Sequence, residues 1–406
     1  MSAEESKFLK DLSKCVRCGS CKAYCPTFEE DPVESMGARG RLILLRGLAT
    51  GQIRPSKLLA ERLFSCILCG ACEGTCPLGV DIPEAILAGR AQLSRTDTKR
   101  KYLRSLVKFS TRRPDMMFKM ARVGQHILFP ALAKRGIIPF NPALPEMPFR
   151  REEQVFKVQK KRGRVAIFTG CSINFIFPNL GESLINVLQK FGYEVVLPKG
   201  ETCCGNPLRS LGLEEEAVEQ AKKNYRVFSR LKVEAVLSLC PTCTLTLKKE
   251  YPKLIGSGLE KAMDISEFFR DEIGVTESIR KSAVYHDPCH LLYGLGVKKG
   301  PREIIRKAGI ELIDNETVCC GFGGLFCLSN REMSGRLLTK QTSRLMATKA
   351  DTVITSCPGC ILQLSRTVTD RPVLHLIELL EEAYCFRTAE KPPKKEHVKE
   401  KEPTLF

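Results

Sequence analysis

The sequence predicts an α/β chain in which an all-helical N-terminal segment precedes two tandem α/β modules. Three observations lead there. Residues 1–95 carry apolar side chains at helical spacing, residues from Arg164 onward alternate strand-like with helix-like runs, and that alternation occurs twice at a nearly constant offset.

In the first segment Leu42, Leu45 and Leu48 have the three-to-four spacing of an amphipathic helix. Leu58, Leu59 and Leu63 resume it after a turn at Gly51 to Pro55. Residues 136–163 are rich in Pro and charge and read as a boundary. Beyond it, strand-like runs at 165–168, 193–197 and 234–239 enclose helical patterns at about 179–190 and 213–230. The same order returns: strands at 283–285, 311–313 and 352–355, helices at about 301–308 and 331–348. The expected division is 1–95, a basic connector 96–163, modules 164–275 and 276–385, and a Lys, Glu and Pro-rich tail 386–406 expected to be disordered.

The 406 residues suffice for two or three cores. Met1 to Lys14 is polar and no apolar run reaches membrane length, so the expected location is a bacterial or archaeal cytoplasm, where thiols stay reduced and can bind metal. The formal charge is +18, and residues 95–135 hold twelve Lys or Arg against Asp97 and Asp115. Leu103, Leu106, Val107, Met116, Met117 and Phe118 lie in the same stretch, which fits a basic amphipathic surface helix. A partner or the inner face of the cytoplasmic membrane would suit it, as would a plain solvated linker. Nucleic acid is not expected, because the chain has no Trp and no interleaved stacking aromatics.

Eighteen of the twenty cysteines form four groups. Cys15, Cys18, Cys21 and Cys25-Pro26 repeat as Cys66, Cys69, Cys72 and Cys76-Pro77. Three cysteines two residues apart, then a fourth before Pro, is the bacterial ferredoxin run for a cubane 4Fe–4S cluster. In two-run proteins the fourth cysteine serves the other cube, which assigns Cys15, Cys18, Cys21 and Cys76 to one and Cys66, Cys69, Cys72 and Cys25 to the other. Zinc also takes four thiolates, but usually from paired Cys-x-x-Cys knuckles.

The remaining ten cysteines form two like sets. Cys171, Cys203, Cys204, Cys240 and Cys243 repeat as Cys289, Cys319, Cys320, Cys357 and Cys360, at offsets of 118 (171 to 289), 116 (203 to 319) and 117 (240 to 357). A thioredoxin-like pair at either Cys-x-x-Cys would leave the adjacent Cys-Cys pairs unexplained. With Cys203-Cys204-Gly205, Cys319-Cys320-Gly321 and His286-Asp287-Pro288-Cys289-His290, the chain resembles the CCG, or cysteine-rich, proteins: heterodisulfide reductase subunits and the iron–sulfur subunit of glycolate and D-lactate dehydrogenases. The resemblance spans nearly the whole chain. It implies one or two noncubane 4Fe–4S clusters, each held by five CCG cysteines.

It further implies an iron–sulfur electron-transfer subunit that takes electrons from an FAD-binding dehydrogenase subunit and passes them toward quinone or another membrane acceptor. The alternative it carries is a catalytic subunit reducing a disulfide at a noncubane cluster, which the full set of ten CCG cysteines favours. No Gly-x-Gly-x-x-Gly lies between a strand and a helix, so any flavin belongs to a partner. No catalytic residue is assigned. Cys327 and Cys385 read as buried hydrophobes, His286 and His290 as neighbours able to tune a cluster or simply to order the loop around Cys289, and His126, His375 and His397 give no signal.

Overall fold

The computed structural model describes residues 12–385 apart from 127, 136–137, 140–142, 151, 277–280, 314 and 316–317; the tail 386–406, with His397, lies outside the described residues, as does Ile127 of the basic stretch. Among the described residues of the first 95, every regular element is helical.

Three helices make the core of that part. Ala38–Ala49 buries Leu42, Leu45 and Leu48, as their spacing requires. Lys57–Phe64 starts at Ser56, whose hydroxyl accepts from the Leu59 amide at 3.1 Å, and Ile82–Leu93 starts at Asp81, which accepts from the Glu84 amide at 3.1 Å. Leu45, Leu63, Ile86 and Leu93 are fully buried where the three meet. Two arginines occupy core positions of these helices. Arg41 donates to Thr27 Oγ1, Ser65 Oγ and the Arg62 carbonyl, and Arg90 donates to the carbonyls of Leu63, Cys66 and Ser210. Each thereby fixes loop carbonyls and hydroxyls that water cannot reach.

The basic stretch is not one helix. Pro114 separates Lys101–Arg112 from Pro114–Gly124, and Leu128–Lys134 follows. Part of its charge is neutralised internally. Asp97, Arg100 and Arg104 are buried as an ion-paired group at 3.0 and 2.6 Å, and Lys108 pairs with Glu216. What stays outward on the second helix is Met116, Met120 and Val123 beside Lys119 and Arg122.

The first module is a five-stranded sheet, ordered β1-β3-β2-β4-β5, from β1 (Gln154–Phe156), β2 (Gly163–Ile167), β3 (Tyr193–Leu197), β4 (Ala235–Ser238) and β5 (Ala262–Asp264). Strand β1 arises from the expected connector and pairs antiparallel with β3; all other pairs are parallel. The second sheet runs β7-β6-β8-β9, all parallel, from β6 (Ser282–His286), β7 (Glu311–Ile313), β8 (Thr352–Thr355) and β9 (Val373–His375). The two orders are the same once β1 is set aside. Strand β4 is buried along its length, as a parallel strand covered on both faces must be.

One apolar core serves both modules. Helix Pro178–Lys190 of the first packs on helix Leu376–Tyr384 of the second, with Leu184, Leu188, Leu376 and Leu380 inside. At its edge Glu381 accepts from Ser183 Oγ at 2.5 Å and Asn186 Nδ2 at 2.7 Å. The repeat therefore folds as a pair.

Candidate metal centres

All ten cysteines of the modules lie past the carboxyl ends of parallel strands, on the loops there or in the first turns of the helices that follow. Cys171 follows β2, Cys203 and Cys204 follow β3, and Cys240 follows β4; Cys289, Cys319-Cys320 and Cys357 follow β6, β7 and β8. Parallel sheets open crevices there, where strands diverge into loops and helix N-termini present free amides.

Two small cavities in the helical part are each lined by four cysteines. One gathers Cys15, Cys18, Cys21 and Cys76; the other gathers Cys25, Cys66, Cys69 and Cys72. The fourth cysteine of each run thus lines the cavity of the other run. The loops share an uncommon backbone. Arg17 and Leu68, the residues just before the second cysteine of each run, have φ of 58° and 60°, and Gly19 and Gly70, just after it, have φ of 91° and 80°. Side-chain-bearing residues in the left-handed region carry strain that persists only where a tight concave loop imposes it, and such loops turn amides inward. The Leu68 amide does so, 3.4 Å from Cys66 Sγ.

Burial and neighbouring sulfurs push the Cys69 and Cys72 thiols well above their ordinary pKa. Thiols crowded around one cavity ionise together only if a cation compensates them. The donor set is therefore chemically suited to iron and sulfide.

In the modules the sulfurs form a chain. Cys171 is within hydrogen-bond reach of Cys203, Cys203 of Cys204, Cys204 of Cys243 and Cys243 of Cys240. Cys240 in turn meets Cys357 of the other module, Cys357 meets Cys360, and Cys360 Sγ lies 3.5 Å from Cys320 Sγ. Hydrogen bonds from Cys203 and Cys243 hold Cys204 down to about 6, whereas its sulfur neighbours and burial keep Cys243 well above the ordinary value. Cys289 and Cys319 meet each other and share an apolar cluster with Cys69 of the helical part.

Polar side chains fix the Cys-Cys loops alike in both modules. Asn224 Nδ2 donates to the Cys203 carbonyl at 3.0 Å and its Oδ1 accepts from the Thr202 amide at 2.8 Å; Gln341, 117 positions on, accepts from the Val318 amide at 3.0 Å. Gly321 has φ of 77°, and a Cβ there would stand 2.7 Å from the Ser334 carbonyl. A side chain at that point would push the loop off its helix.

The histidines next to Cys289 do two things that spacing could not assign. His286 is buried and faces Cys320 and Cys360 with ligand atoms within 4.8 Å, so it attends the Cys-Cys pair and not Cys289. His290 donates to the Leu68 carbonyl at 3.0 Å and accepts from Thr242 Oγ1 at 2.7 Å, tying the second module to both other parts. His375 has a role too: it caps the helix Leu376–Tyr384 and donates to the Leu239 carbonyl at 3.0 Å. Cys327 is buried and donates to the Gly324 carbonyl at 3.1 Å, with burial pushing its thiol up to about 12; Cys385 is half-buried at the edge of the shared core.

Sequence reasoning missed Arg90, Arg41 and Arg39, which donates to the Arg17 carbonyl at 3.2 Å and lines the Cys15 cavity. The signal for the first two was an arginine in a leucine register, Arg90 four and three residues from Ile86 and Leu93, and Arg41 four from Leu45.

The 4Fe–4S dicluster domain family matches residues 11–80, and the cysteine-rich CCG domain family matches residues 165–248 and 283–365. The chain is 29% identical over 403 residues to a subunit of the CoM/CoB fumarate reductase of Methanothermobacter marburgensis, covering 94% of this chain and 74% of that one. It is 25% identical to the probable glycolate oxidase iron-sulfur subunit of Bacillus subtilis, covering 93% and 95%. It is also 25% identical to a subunit of the dihydromethanophenazine:CoB–CoM heterodisulfide reductase of Methanosarcina mazei, covering 94% and 96%. A solved hypothetical protein from Helicobacter pylori shares the fold over 95% of this chain and 73% of its own, with a TM-score of 0.54 and 10% identity. The chain therefore joins a 4Fe–4S dicluster domain to two CCG domains and is an oxidoreductase iron–sulfur subunit of the kind found in glycolate oxidase and heterodisulfide reductase.

Proposed function

We propose that the chain is the electron-transfer subunit of an FAD-linked 2-hydroxyacid dehydrogenase, acting with glycolate or D-lactate, and that it passes electrons from a flavin subunit toward quinone. One observation carries this reading. Of the eighteen clustered cysteines, Cys18 and Cys171 are the two exposed ones, and they lie at opposite ends of the run of sulfur sites. A relay needs an open contact at each end and a closed interior.

In this reading Cys15, Cys18, Cys21 and Cys76 hold one cubane cluster, and Cys25, Cys66, Cys69 and Cys72 hold the other. The five cysteines of each CCG domain, Cys171 to Cys243 and Cys289 to Cys360, hold one or two noncubane clusters between them. Such clusters supply one-electron storage. The chain's own groups set the conditions: Arg90, Arg41 and Arg39 put positive charge beside the cubane loops, inward amides bond the sulfurs, and the apolar surroundings of Cys69, Cys289 and Cys319 exclude water. The flavin partner docks at the Cys18 end, and the outward Met and Lys residues of Pro114–Gly124 rest on the inner face of the membrane. No helix among the described residues is long and apolar enough to cross a membrane.

The test is anaerobic purification with its flavin partner. Iron and acid-labile sulfide beyond two cubane equivalents, and cluster bleaching when a 2-hydroxyacid is added, are expected. Zinc without sulfide would remove the reading.

A second reading is disulfide reduction within this chain. All ten CCG cysteines are present and adjoin across the module boundary through Cys240 and Cys357, which suits it. Viologen-driven turnover of a disulfide, abolished by Cys203→Ser or Cys320→Ser, would favour it.

A further inference from the structure

Cys171 is one of the two exposed cysteines of the four sets. It lines a cavity of about 470 Å³ between the first module and the two helices of the connector. Small-molecule sites commonly occupy roughly 300–1,000 Å³. One wall is mostly apolar, with Val107, Met117, Phe118 and Ala121 from the helices Lys101–Arg112 and Pro114–Gly124 beside Ser110, Thr111 and Asp115. The other holds Cys171 and Cys203 with Asn174, Lys199 and Thr202.

The charges of the lining select against an acidic ligand. Arg150 and Lys199 line the cavity together with Asp115, Glu152 and Glu201, so its carboxylates outnumber its cations. Glu201 is 5% exposed, and its Oε2 has no hydrogen-bond partner; Arg150 Nε, 4.0 Å away, has none either. A ligand with two anionic groups would add charge beside three carboxylates in a partly dry space. A neutral molecule with carbonyl acceptors would take the Lys199 and Asn174 donors without that penalty.

The far side of the apolar wall is the face that carries Met116, Met120 and Val123 outward among Lys119 and Arg122. The helix that lines the cavity is therefore the one whose outer face would meet a membrane surface. Both sides of Pro114–Gly124 point to one occupant.

We propose that this cavity binds a lipid-soluble quinone, with its ring toward Cys171 and Cys203 and its tail along the connector helices. The inference rests on the relay reading above and names the place where electrons leave. A cluster held by the Cys171 set would supply the quinone with two electrons, one at a time, and water at the mouth would supply two protons. The quinone's two carbonyls become hydroxyls and quinol departs. The same two electrons and two protons are released when the partner's flavin oxidises a hydroxyacid to the ketoacid.

The test uses the full chain, purified anaerobically with its clusters, and a fluorescent quinone analogue, heptyl-hydroxyquinoline N-oxide. Quenching of its emission at one equivalent per chain is expected. Ala121→Phe fills the cavity from the apolar wall, and Ser110→Phe does so from the other connector helix should the first variant not fold. Each is expected to weaken analogue binding and to slow oxidation of the pre-reduced chain by decylubiquinone by at least about tenfold, with oxidation by ferricyanide and the iron content unchanged. Unchanged analogue binding and quinone reduction in both folded variants would overturn the site while leaving the relay intact. A native chain that reduces ferricyanide but neither binds the analogue nor reduces quinone would overturn the site and the quinone reading together. Displacement of the analogue by a bis-sulfonated disulfide would overturn the assignment of a neutral ligand.

Discussion

The two CCG modules share a strand order and five cysteines, yet their first cysteines face different surroundings. Cys289 is enclosed with Cys319 against Cys69 of the helical domain, whereas Cys171 opens into the cavity beneath the connector. Duplication supplied two copies of one site, and the attached segments enclosed one and left the other open, which the relay proposed above uses as inlet and outlet. Smaller differences follow the same division. Phe168 of the first module stands where His286 stands in the second, 118 positions on, and Asp264 caps its helix where His375 caps the corresponding one.

The largest expected effect comes from removing a sulfur at the centre of the chain. Cys320→Ser should lose the second module's iron and sulfide and stop electron passage from the Cys18 end, while Cys171→Ser should block only the exit. Stopped-flow reduction at one end and oxidation at the other separates them; equal behaviour would erase the inlet–outlet distinction.

The tethers of the two modules to the helical domain come next. Arg90→Met leaves the carbonyls of Leu63, Cys66 and Ser210 without their donor and should cost about 3–5 kcal/mol, because several buried groups lose partners at once. His290→Ala, on the second module's tether, should cost about 1 kcal/mol. Thermal unfolding measures both, and a reversed order would show that the second module holds the assembly.

His286→Phe makes the second module resemble the first. Loss of the imidazole beside Cys320 should lower the potential of the nearby centre by about 40 mV, the equivalent of one hydrogen bond of about 1 kcal/mol for one electron. A redox titration followed by electron paramagnetic resonance reads the shift. Lys119→Glu and Arg122→Glu should each weaken binding to anionic vesicles by about fivefold, or about 1 kcal/mol. Sedimentation with vesicles checks this.

The opposed helix caps predict opposed pH effects. Burial pushes Asp264 up to about 7, so its contribution is complete at low pH and is lost as pH rises from its ordinary value of 3.8 through 7. Burial pulls His375 down to about 4, so its contribution is complete above its ordinary value of 6.5 and is lost as pH falls toward 4. Asp264→Asn should flatten the alkaline-side loss and His375→Asn the acid-side loss. Unfolding midpoints between pH 4 and 7 that respond in the same direction to both changes would contradict the pairing.

Much of this architecture is legible in the chain because its signals are local. The apolar run of β2 marks that strand to within two residues, and the period of Leu42, Leu45 and Leu48 suffices for their helix. Strand β1 is not legible, because three residues of a polar connector, two of them exposed, form a strand only by pairing with the edge of β3. The single amphipathic helix expected near 95–135 fails at Pro114, and the burial of Arg100 and Arg104 around Asp97 leaves fewer outward charges than their count implies.

Thiolate spacing and strand alternation are written in consecutive residues, so the sulfur inventory, its division into four sets and the duplication follow from the sequence with no fold in hand. Which sets adjoin does not follow from it. The meeting of Cys240 with Cys357, the closure of Cys289 against Cys69 and the cavity at Cys171 all depend on how the helical part, the connector helices and the two modules pack. Those contacts join residues from 54 (Met117 and Cys171) to 220 (Cys69 and Cys289) positions apart, and side-chain burial over the assembled surface, not local propensity, settles them.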